Sequence, residues 1–459
     1  MRVRIRIIVE DATGVVQVQD DIARIERGAL GPGSLGLSLT EAKALLAAAQ
    51  RTIVSAQAEQ HTVAARPCPC CGQPRARKGP GSIVMRTLFG AVRLPSPRYY
   101  RCRCENRGRS SISPVAAALP QRSTAELVYL QSKWASLMSY GLTARLLEEV
   151  LPLGGRPAQR SVRRQLHCVA TRMEDDLGDE IAMIAGPDPG WADPATRPGP
   201  PVTVGIDGGY VHAREGADRK AGWFEVIAGR SVPEQGPSKC FAMVHRLDAK
   251  PRKRVAAVLA SQDLVARQTV RFISDGGDTV RNLQRYLHAE AEHVLDWFHL
   301  TMRITVMRQI AKGLTCEGEA TLAAEVDAGL ESIKHHLWHG NVHDALERIG
   351  YTLMDLDIAD ESVARGKLAK ATRELYAYVA RNRAFIPNYG DRWRNGERIA
   401  SAFVEATINQ VVARRMVKKQ QMCWTPVGAH LLLQVRTRTL NGDLRATFHQ
   451  WYPDMPKAA

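Results

Sequence analysis

The chain has 459 residues, 45% of them hydrophobic, which is enough for about three domains. It carries 63 lysines and arginines against 47 aspartates and glutamates, so its formal net charge is +16 and its pI is about 9.6. This excess favours a polyanionic partner such as nucleic acid, although a merely basic, arginine-rich proteome would leave the same bias. No apolar run approaches the ~18 residues of a membrane span, so we expect no membrane association and a cytoplasmic protein whose thiols are reduced.

The first 65 residues predict a structural entry module. The N-terminal MRVRIRIIVE alternates Arg with Val and Ile, which indicates a strand rather than a signal peptide, and residues 2–28 predict a small β unit. A helix is expected from Leu39 to about Gln60, with Thr40 capping its start.

Residues 66–120 predict a zinc ribbon. The cysteines form a C-x-x-C pair and a C-x-C pair: Cys68, Cys71, Cys102 and Cys104. The intervening SIVMRTLFGAVRLPSPRYYRC predicts a hairpin that turns at Phe89-Gly90 and brings the pairs together. Four thiolates suit a structural zinc site. Cys70 could replace a neighbour, and four unmetallated cysteines in a small core are the alternative. The arginines that flank these cysteines suggest that the ribbon also contacts phosphate.

Residues 121–185 predict a helical DNA-binding region. A helix after Thr124, broken at Gly141, is followed by the shorter LTARLLEEVLP, a glycine turn and a third helix, RSVRRQLHCVATRMEDDL. The first turns of this third helix carry residue types that contact phosphates and base edges: Arg160, Ser161, Arg163, Arg164 and Gln165. The pattern fits a helix-turn-helix, and an αα-hairpin with a solvated basic face is the alternative. Residues 186–201 are rich in Pro, Gly and Asp and predict a linker.

Two buried strands in residues 202–300 each lead into Asp-Gly-Gly. The strand after Pro201 is expected to end at Asp207, and a later strand ends at Asp275. Sites collect at strand ends in open α/β sheets, so we expect these two carboxylates to hold divalent metal for phosphodiester chemistry. The alternative is that Asp-Gly is simply a common turn pair.

The order of elements around these aspartates indicates the fold class. Three strands are followed by the helix PRKRVAAVLASQDL, a fourth strand, the helix TVRNLQRYLHAE and a fifth strand, EHVLDWFH. This order resembles the α/β ribonuclease-H-like fold, in which the first and fourth strands lie side by side. Residues 301–398 are almost all helical in pattern, so we expect a helical insertion before the last part of the core, residues 399–459.

A helix over RIASAFVEATINQVVARRMVKKQ is expected to complete this core. Glu405 lies among apolar residues in its first half, with Asn409 one turn further on. Basic residues that suit DNA binding follow in its last turns: Arg414, Arg415, Lys418 and Lys419. The alternative for Glu405 is an exposed acid stabilised by the helix dipole.

Four segments together resemble the DDE transposases of bacterial insertion sequences, in particular the ISKra group with its ISL-type and Mutator-like relatives. They are GIDGGYV, SDGGD, VLDWFH and SAFVEATINQVVARRM–QMCWTPVGAHLLLQVR, and the resemblance extends roughly over Val202–Trp451. It implies a catalytic triad of Asp207, Asp275 and Glu405. Asp296 with His299 is an alternative or accessory member, and Asp278 is a weaker competitor that is expected to cap a helix.

The resemblance also implies the cofactors, the partners and the reaction. Three carboxylates suit two Mg²⁺ or Mn²⁺ ions that promote strand cleavage at the element ends and transfer of the 3′ ends into target DNA. The expected partners are double-stranded DNA, at the element ends and at the target, and further copies of the chain in a homodimer or larger assembly. We therefore expect the protein to be nucleoid-associated.

Two other functions remain open. One is a non-enzymatic zinc-ribbon and helix-turn-helix regulator, and the other is a ribonuclease-H-like nuclease or resolvase that cuts without joining. The histidines of KHHLWH, His335, His336 and His339, are expected to be solvated or to face phosphate rather than bind metal. Trp393 and Trp424 could stack on unpaired bases, with core packing as the commoner alternative.

Overall fold

The computed structural model describes residues 1–11, 13–105, 110–180, 201–214, 222–262, 269–277, 291–316, 318–356, 362–416 and 422–456. Residues 186–200 of the expected linker, the expected helix with Asp278, and Lys418 and Lys419 lie outside these ranges. The chain forms two compact units, Met1–Val169 with Gly442–Ala459, and Ala170–Asn441. The expected C-terminal part of the core, residues 399–459, is therefore divided between the two units.

The N-terminal stretch of the first unit forms a hairpin and a helix, in the two places where they were expected. Strands β1 (Arg2–Glu10) and β2 (Val16–Glu26) pair antiparallel, and α1 (Leu39–Ala64) packs against both. The helix starts two residues earlier than a cap at Thr40 would place it. Ser38 is the capping residue, because its hydroxyl accepts from the Glu41 N–H (3.2 Å) while the Glu41 carboxylate accepts from the Ser38 N–H (2.9 Å).

The cysteine region consists of short strands around a small core. Its elements are β3 (Arg77–Gly79), β4 (Ser82–Thr87), β5 (Gly90–Pro95), β6 (Arg98–Tyr100), β7 (Ser111–Ile112) and α2 (Pro114–Ala118). β4 and β5 form the expected hairpin, which closes at the Thr87–Gly90 pair. Strands β3, β6 and β7 form a separate sheet in this order. Along the chain, β3 follows the first cysteine pair, and β6 and β7 flank the second.

Three helices follow: α3 (Ala125–Leu137), α4 (Tyr140–Val150) and α5 (Gln159–Leu177). The first break does not lie at Gly141, as expected, but at Met138-Ser139, where the Ser139 hydroxyl accepts from the Leu142 N–H (3.2 Å) and caps α4. The glycine turn before α5 contains Gly154 and Gly155 at φ +77° and +150°, a backbone region that favours glycine. The C-terminal helix, Leu444–Trp451, packs on α3 in the same unit.

The second unit is built on a five-stranded mixed sheet. Its strands are β8 (Val202–His212), β9 (Trp223–Pro233), β10 (Lys239–Val244), β11 (Val270–Ser274) and β12 (Glu292–Leu295), in the order β10-β9-β8-β11-β12. The pairs among β8, β9 and β10 are antiparallel, whereas β11 is parallel to both β8 and β12. The expectation that the first and fourth strands are neighbours is confirmed by the pairing of β8 with β11.

Two strand ends differ from the expectation. β8 does not end at Asp207 but continues through Gly208-Gly209 to His212, because it stays paired with β9 as far as the His212–Trp223 pair. β12 ends at Leu295, so Asp296 follows the strand directly instead of lying inside it.

Helices cover both faces of this sheet. On one face, α6 (Pro251–Ala260) packs on β10, and its Val255 and Leu259 share a buried core with Val204 and Ile206 of β8. The expected helical insertion comprises α7 (Trp297–Cys316), α8 (Ala320–Trp338), α9 (Val342–Leu356), α10 (Val363–Asn382) and α11 (Tyr389–Arg394). Its core is continuous with the ends of β11 and β12.

The chain then returns to the sheet. α12 (Ala402–Ile408) continues as a π-helical turn, Asn409–Ala413, and a last helical turn, Arg414–Met416, and α13 (Pro426–Leu440) packs on β10. The expected helix over residues 398–420 is therefore present between Ala402 and Met416, interrupted by the π turn. None of the described helices combines the length and apolarity needed to cross a membrane.

Candidate functional site

Three aspartates stand level with one another across three adjacent strands. The last ladder pairs are Ile273 with Gly205 and Ser274 with Leu295. Two residues beyond the Ile273–Gly205 pair, the same register sets Asp275 beside Asp207. One residue beyond the Ser274–Leu295 pair, it sets Asp275 beside Asp296. Neighbouring strands are about 4.8 Å apart, so this register forms a row of carboxyl-bearing residues at the level where β11 and β12 end.

Asp207 has two carboxylates and the His299 imidazole as charged neighbours. Its side chain is half-buried; burial raises the pKa of its carboxyl, and the carboxylates of Asp275 and Asp296 raise it further, against the Gly208 N–H (2.7 Å) and His299. Among the described residues, no Lys or Arg lies within ion-pair distance of it. Asp275 is exposed and accepts from the Gly277 N–H (3.1 Å).

Asp296 is fully buried, and hydrogen bonds engage both of its oxygens. Oδ1 accepts from the backbone N–H groups of Phe298 (2.9 Å) and Ser401 (3.0 Å), and Oδ2 bonds with His299 Nδ1 (2.7 Å) and the Ser401 hydroxyl. Against burial, the bonds with His299 and Ser401 lower the pKa of Asp296, and the bond to Asp296 raises the pKa of His299. Asp296 therefore offers no free oxygen toward a ligand.

Ser401 links this buried carboxylate to the helix that carries Glu405. It is the N-cap residue of α12, and its carbonyl accepts from the N–H groups of Val404 (2.7 Å) and Glu405 (3.1 Å). Asp296 therefore fixes the residue from which α12 starts. Glu405 itself is exposed on this helix.

α12 crosses β8 at the level of Asp207. A Cβ atom placed on Gly205 would lie 2.6 Å from the Phe403 ring and would clash with Val404, and one on Gly209 would lie 3.3 Å from Ile408 Cγ2. Side chains alternate along a strand, so Asp207 lies between these glycines on the same sheet face. The helix that carries Glu405 therefore packs on the same sheet face as the Asp207 side chain, and it crosses β8 at the position of Asp207.

The expected triad does not form a closed ligand set in this structure. Among the described residues, two groups of three or more potential ligands have all ligand atoms within 4.8 Å of one another: Cys68, Cys71, Cys102 and Cys104, and Glu174, Asp248 and His430. Asp207, Asp275 and Glu405 do not form such a group. Asp207 and Asp275 are aligned by the strand register, and the helix that carries Glu405 packs on the sheet face of Asp207.

The four expected cysteines come together in a group that could hold one metal ion. The Sγ atoms of Cys68 and Cys104 are 3.4 Å apart, and that of Cys71 lies 3.6 Å from those of both Cys102 and Cys104. A hydrogen bond from the Cys104 N–H lowers the pKa of the Cys102 thiol to about 7, which favours its thiolate, whereas the adjacent Cys102 and Cys68 sulfurs raise the pKa of Cys104. Cys70 is exposed and lies outside the group.

The Glu174 group, which the sequence did not predict, is already neutralised. Arg254 donates to both oxygens of Glu174 (2.8 and 3.0 Å) and to both of Asp248 (2.8 and 3.0 Å). Against burial, hydrogen bonds from His430 and Arg254 lower the pKa of Glu174 to about 2. With a guanidinium between its carboxylates, this group is a structural ion-pair network that joins α5, α6 and α13.

Most of the expected DNA-contacting residues are accessible. The exposed members are Arg160, Ser161, Arg163, Arg164 and Arg414, and Gln165 is half-buried. On α5 the opposite side, with Val162 and Leu166, is buried. The expectation that Arg415 binds DNA is wrong. Arg415 is 3% exposed and lies over the ring of Trp424, which is itself buried. Neither residue can contact DNA as placed, because the pair packs inside the unit.

The remaining expectations concern single side chains. Trp393 is 65% exposed, so it is accessible for stacking on a base. The rings of His335 and His339 are 4.6 Å apart, and His336 lies 3.7 Å from Asp344. None of these histidines belongs to a group of three potential ligands within the part of the chain that the structure describes.

Sequence reasoning missed Ser401 and the pair formed by Arg303 and Tyr378. Arg303 follows His299 by one helical turn, a spacing that could have indicated a shared face. Nothing in the local sequence connects Ser401 with Asp296, 105 residues earlier. Comparison of the chain with protein-family models found no match, and neither did comparison with curated proteins.

Proposed function

We propose that the protein is a DDE transposase with a ribonuclease-H-like core, which cuts DNA at the ends of an insertion sequence and joins the freed ends to target DNA. One observation carries the proposal. The register of β8 with β11 aligns Asp207 and Asp275, and the helix of Glu405 crosses β8 at the same level. The net charge of +16 supports a polyanionic substrate.

The donor chemistry at this edge fits Mg²⁺ or Mn²⁺. Carboxylate oxygens are the hard ligands that these ions prefer. Burial is the main cause of the raised pKa of Asp207, and neighbouring carboxylates add to it, whereas the Glu174 group already holds Arg254. Asp207, Asp275 and Glu405 would hold two ions, which would supply charge neutralisation at the phosphodiester and at its leaving oxygen.

Asp296 and His299 act on this site without occupying it. Asp296 holds Ser401, and through it the start of the Glu405 helix, so we assign it as a positioning residue and Asp275 as the second acid. His299 bonds Asp296 through Nδ1, which leaves Nε2 as the nitrogen that can exchange a proton with substrate or water.

The proposed reaction has two balanced steps. In the first, water attacks the phosphorus at the element end, the bond to the 3′ oxygen breaks, and that oxygen leaves with a proton as a 3′-hydroxyl. In the second, this hydroxyl attacks a phosphodiester of the target, a new ester bond forms, and the displaced strand end leaves as a hydroxyl. Each step exchanges one phosphorus–oxygen bond for another, so no covalent enzyme intermediate is needed.

The first unit would supply DNA binding. A zinc ion held by the four cysteines would be structural, because all four tetrahedral positions are taken by protein. The exposed basic face at the start of α5 would bind phosphates and base edges, and Arg414 of the second unit would add a phosphate contact. Because a transposase handles two element ends together, we propose a homodimer or larger assembly on DNA.

The experiment is a cleavage and joining assay on the DNA that flanks the coding region, with Mg²⁺ or Mn²⁺ and the Asp207→Asn variant. We expect the wild-type protein to nick one strand at the element end and to join it to target DNA. Asp207→Asn should lose more than about a thousandfold in rate and keep its DNA affinity, which Lys and Arg supply. Binding without cleavage would indicate a regulator, cleavage without joining a nuclease or resolvase, and wild-type rates in Asp207→Asn would refute the site.

A further inference from the structure

A groove opens beside the row of aspartates, between α7 and α10. Its α7 wall is a stripe at helical spacing: His299, Met302, Arg303 and Val306. Ala371, Glu374 and Leu375 of α10 form the facing wall, and the enclosed volume is about 270 Å³. Met302 and Val306 are 44% and 48% exposed, so an apolar surface adjoins the cation of Arg303.

Arg303 is held in place without being neutralised. Its guanidinium carbon lies 4.2 Å from the centre of the Tyr378 ring, and the Tyr378 hydroxyl donates to the backbone carbonyl of Asp275 (2.9 Å). The chain of contacts ties Arg303 to the segment that carries Asp275. Among the described residues, no carboxylate lies within ion-pair distance of Arg303.

Arg308, five residues further along α7, shows the opposite arrangement. Its guanidinium bonds Asp327 (2.7 and 2.8 Å) and Glu331 (2.7 Å), so two carboxylates satisfy it. Two arginines of the same helix thus differ in whether their charge has a partner within the protein. A stacked, pre-oriented guanidinium without a carboxylate is suited to bind a phosphate in bidentate fashion.

The guanidinium of Arg303 lies near the carboxylates, where a positive charge would favour the approach of DNA. A DNA strand that approaches Asp207 and Asp275 brings further negative charge to an edge that already has an excess. A fixed cation there reduces the repulsion and sets the register of the strand. Glu374 on the α10 wall confines a phosphate to the Arg303 side of the groove.

We propose that this groove is a nucleotide subsite. Arg303 binds the phosphate of a nucleotide next to the phosphodiester that is cleaved, and the apolar wall of Met302 and Val306 contacts the base of that nucleotide. The inference rests on the proposed function, because it takes the neighbouring aspartates as the place of cleavage. Tyr378 acts as a positioning residue for Arg303.

The test measures binding of a short oligothymidylate at several salt concentrations, in buffer without Mg²⁺ or Mn²⁺ so that no cleavage occurs and any bound zinc is retained. Each neutralised phosphate of a single strand contributes about 0.7 to the slope of log affinity against log salt. We expect Arg303→Ala to reduce the slope by about this amount. The matched control Arg308→Ala removes the same charge from the same helix and should leave the slope unchanged, because that charge is already paired.

A second oligonucleotide, of the same length but without bases, distinguishes the phosphate contact at Arg303 from the base contact at Met302. Arg303→Ala should weaken binding of both strands, whereas Met302→Ser should weaken the oligothymidylate about fivefold and leave the abasic strand unaffected. If circular dichroism shows Arg303→Ala to be unfolded, Arg303→Gln, which keeps the side-chain stem, takes its place.

A wild-type slope in the Arg303 variant would overturn the phosphate contact, and equal loss for both strands in Met302→Ser would overturn the base contact. Because these measurements need no cleavage, their outcome is independent of the proposed activity. A protein that binds as described but never cuts would refute the transposase and keep the subsite. A protein that cuts but shows the wild-type slope in Arg303→Ala would refute the subsite alone.

Discussion

Asp207 and Glu174 are both partly buried carboxyls whose pKa values shift in opposite directions. Burial penalises the charge of each; Glu174 has Arg254 and His430 beside it, whereas Asp207 has two further carboxylates and only His299 to oppose them. The counter-ion rather than the degree of burial decides the sign. The unbalanced charge at Asp207 is what a divalent cation would relieve, and the Glu174 group needs none.

The bond between His299 and Asp296 predicts a pH-dependent contribution to stability. Folding lowers the pKa of Asp296, so its contribution is present above the unfolded value of about 4 and is lost as the pH falls further. Folding raises the pKa of His299, so its contribution is present below about pH 6.5 and is lost as the pH rises through the folded value. The pair therefore stabilises most between about pH 4 and 6.5.

We expect Asp296→Asn to destabilise the second unit by about 2 kcal/mol near pH 5.5, because it leaves buried donors without an acceptor, and by less at about pH 9. Thermal unfolding at the two pH values measures the difference. The control is Asp344→Asn, which removes an exposed carboxylate 3.7 Å from His336 and should change the unfolding temperature little. Equal effects of Asp296→Asn at both pH values would contradict the assigned ion pair.

At the scale of elements, the packing of α12 on β8 decides where the acids meet. The glycines of this strand permit the contact, because a Cβ on Gly205 would overlap Val404 and Phe403. The close approach brings the helix of Glu405 down onto the strand of Asp207. A strand with larger side chains on this face would hold the helix further away.

Substitutions at the two glycines should therefore differ. Gly205→Ala forces α12 off the sheet, and we expect it to destabilise the second unit by about 1–3 kcal/mol and to reduce DNA cleavage strongly. Gly209→Ala places its methyl group 3.3 Å from Ile408, which a small adjustment relieves, so its effects should be slight. Unfolding temperature and cleavage rate are measured for both variants. Equal behaviour of the two would show that the close approach at Gly205 does not position α12.

Local pattern predicted most of the elements around the site but not their ends. The pattern of apolar residues predicted β8, β11 and the β4–β5 hairpin, and the spacing of the cysteines predicted which four of them come together. Gly208-Gly209 has the local signature of a turn, yet it lies inside β8, because β9 continues to pair with it. The role of Asp296 depends on Ser401, which is distant in sequence, so no local pattern could predict its burial.

At the scale of the whole molecule, the two kinds of ligand lie in different units. The four cysteines belong to the unit that contains α3 and α4, and the carboxylates belong to the unit built on the five-stranded sheet. Loss of a metal from one unit should therefore leave the fold of the other intact. The excess positive charge lies mainly in the first unit, which has 27 lysines and arginines against 13 aspartates and glutamates, whereas the second unit has 36 against 34. The first unit therefore accounts for most of the attraction to a polyanion such as DNA.

Removal of zinc should destabilise the first unit selectively. A chelator is expected to lower the unfolding temperature of Met1–Val169 by about 10 °C or more, because a structural zinc contributes directly to folding, and to leave Ala170–Asn441 unchanged. Calorimetry with hydrogen exchange assigns the transitions to the units. Cys71→Ser should reproduce the effect of the chelator, and Cys70→Ser should not. Uniform destabilisation of both units, or no zinc bound to the purified protein, would contradict a structural site.

The central claim is that Asp207, Asp275 and Glu405 share divalent cations, and the most direct measurement is anomalous diffraction from crystals grown with Mn²⁺ and DNA. The account predicts Mn²⁺ bound by oxygens of Asp207 and Asp275, with Glu405 completing the site, and no ion at Glu174, where Arg254 stands. Mn²⁺ held by Glu174, Asp248 and His430, or no ion near Asp207 with DNA present, would contradict it.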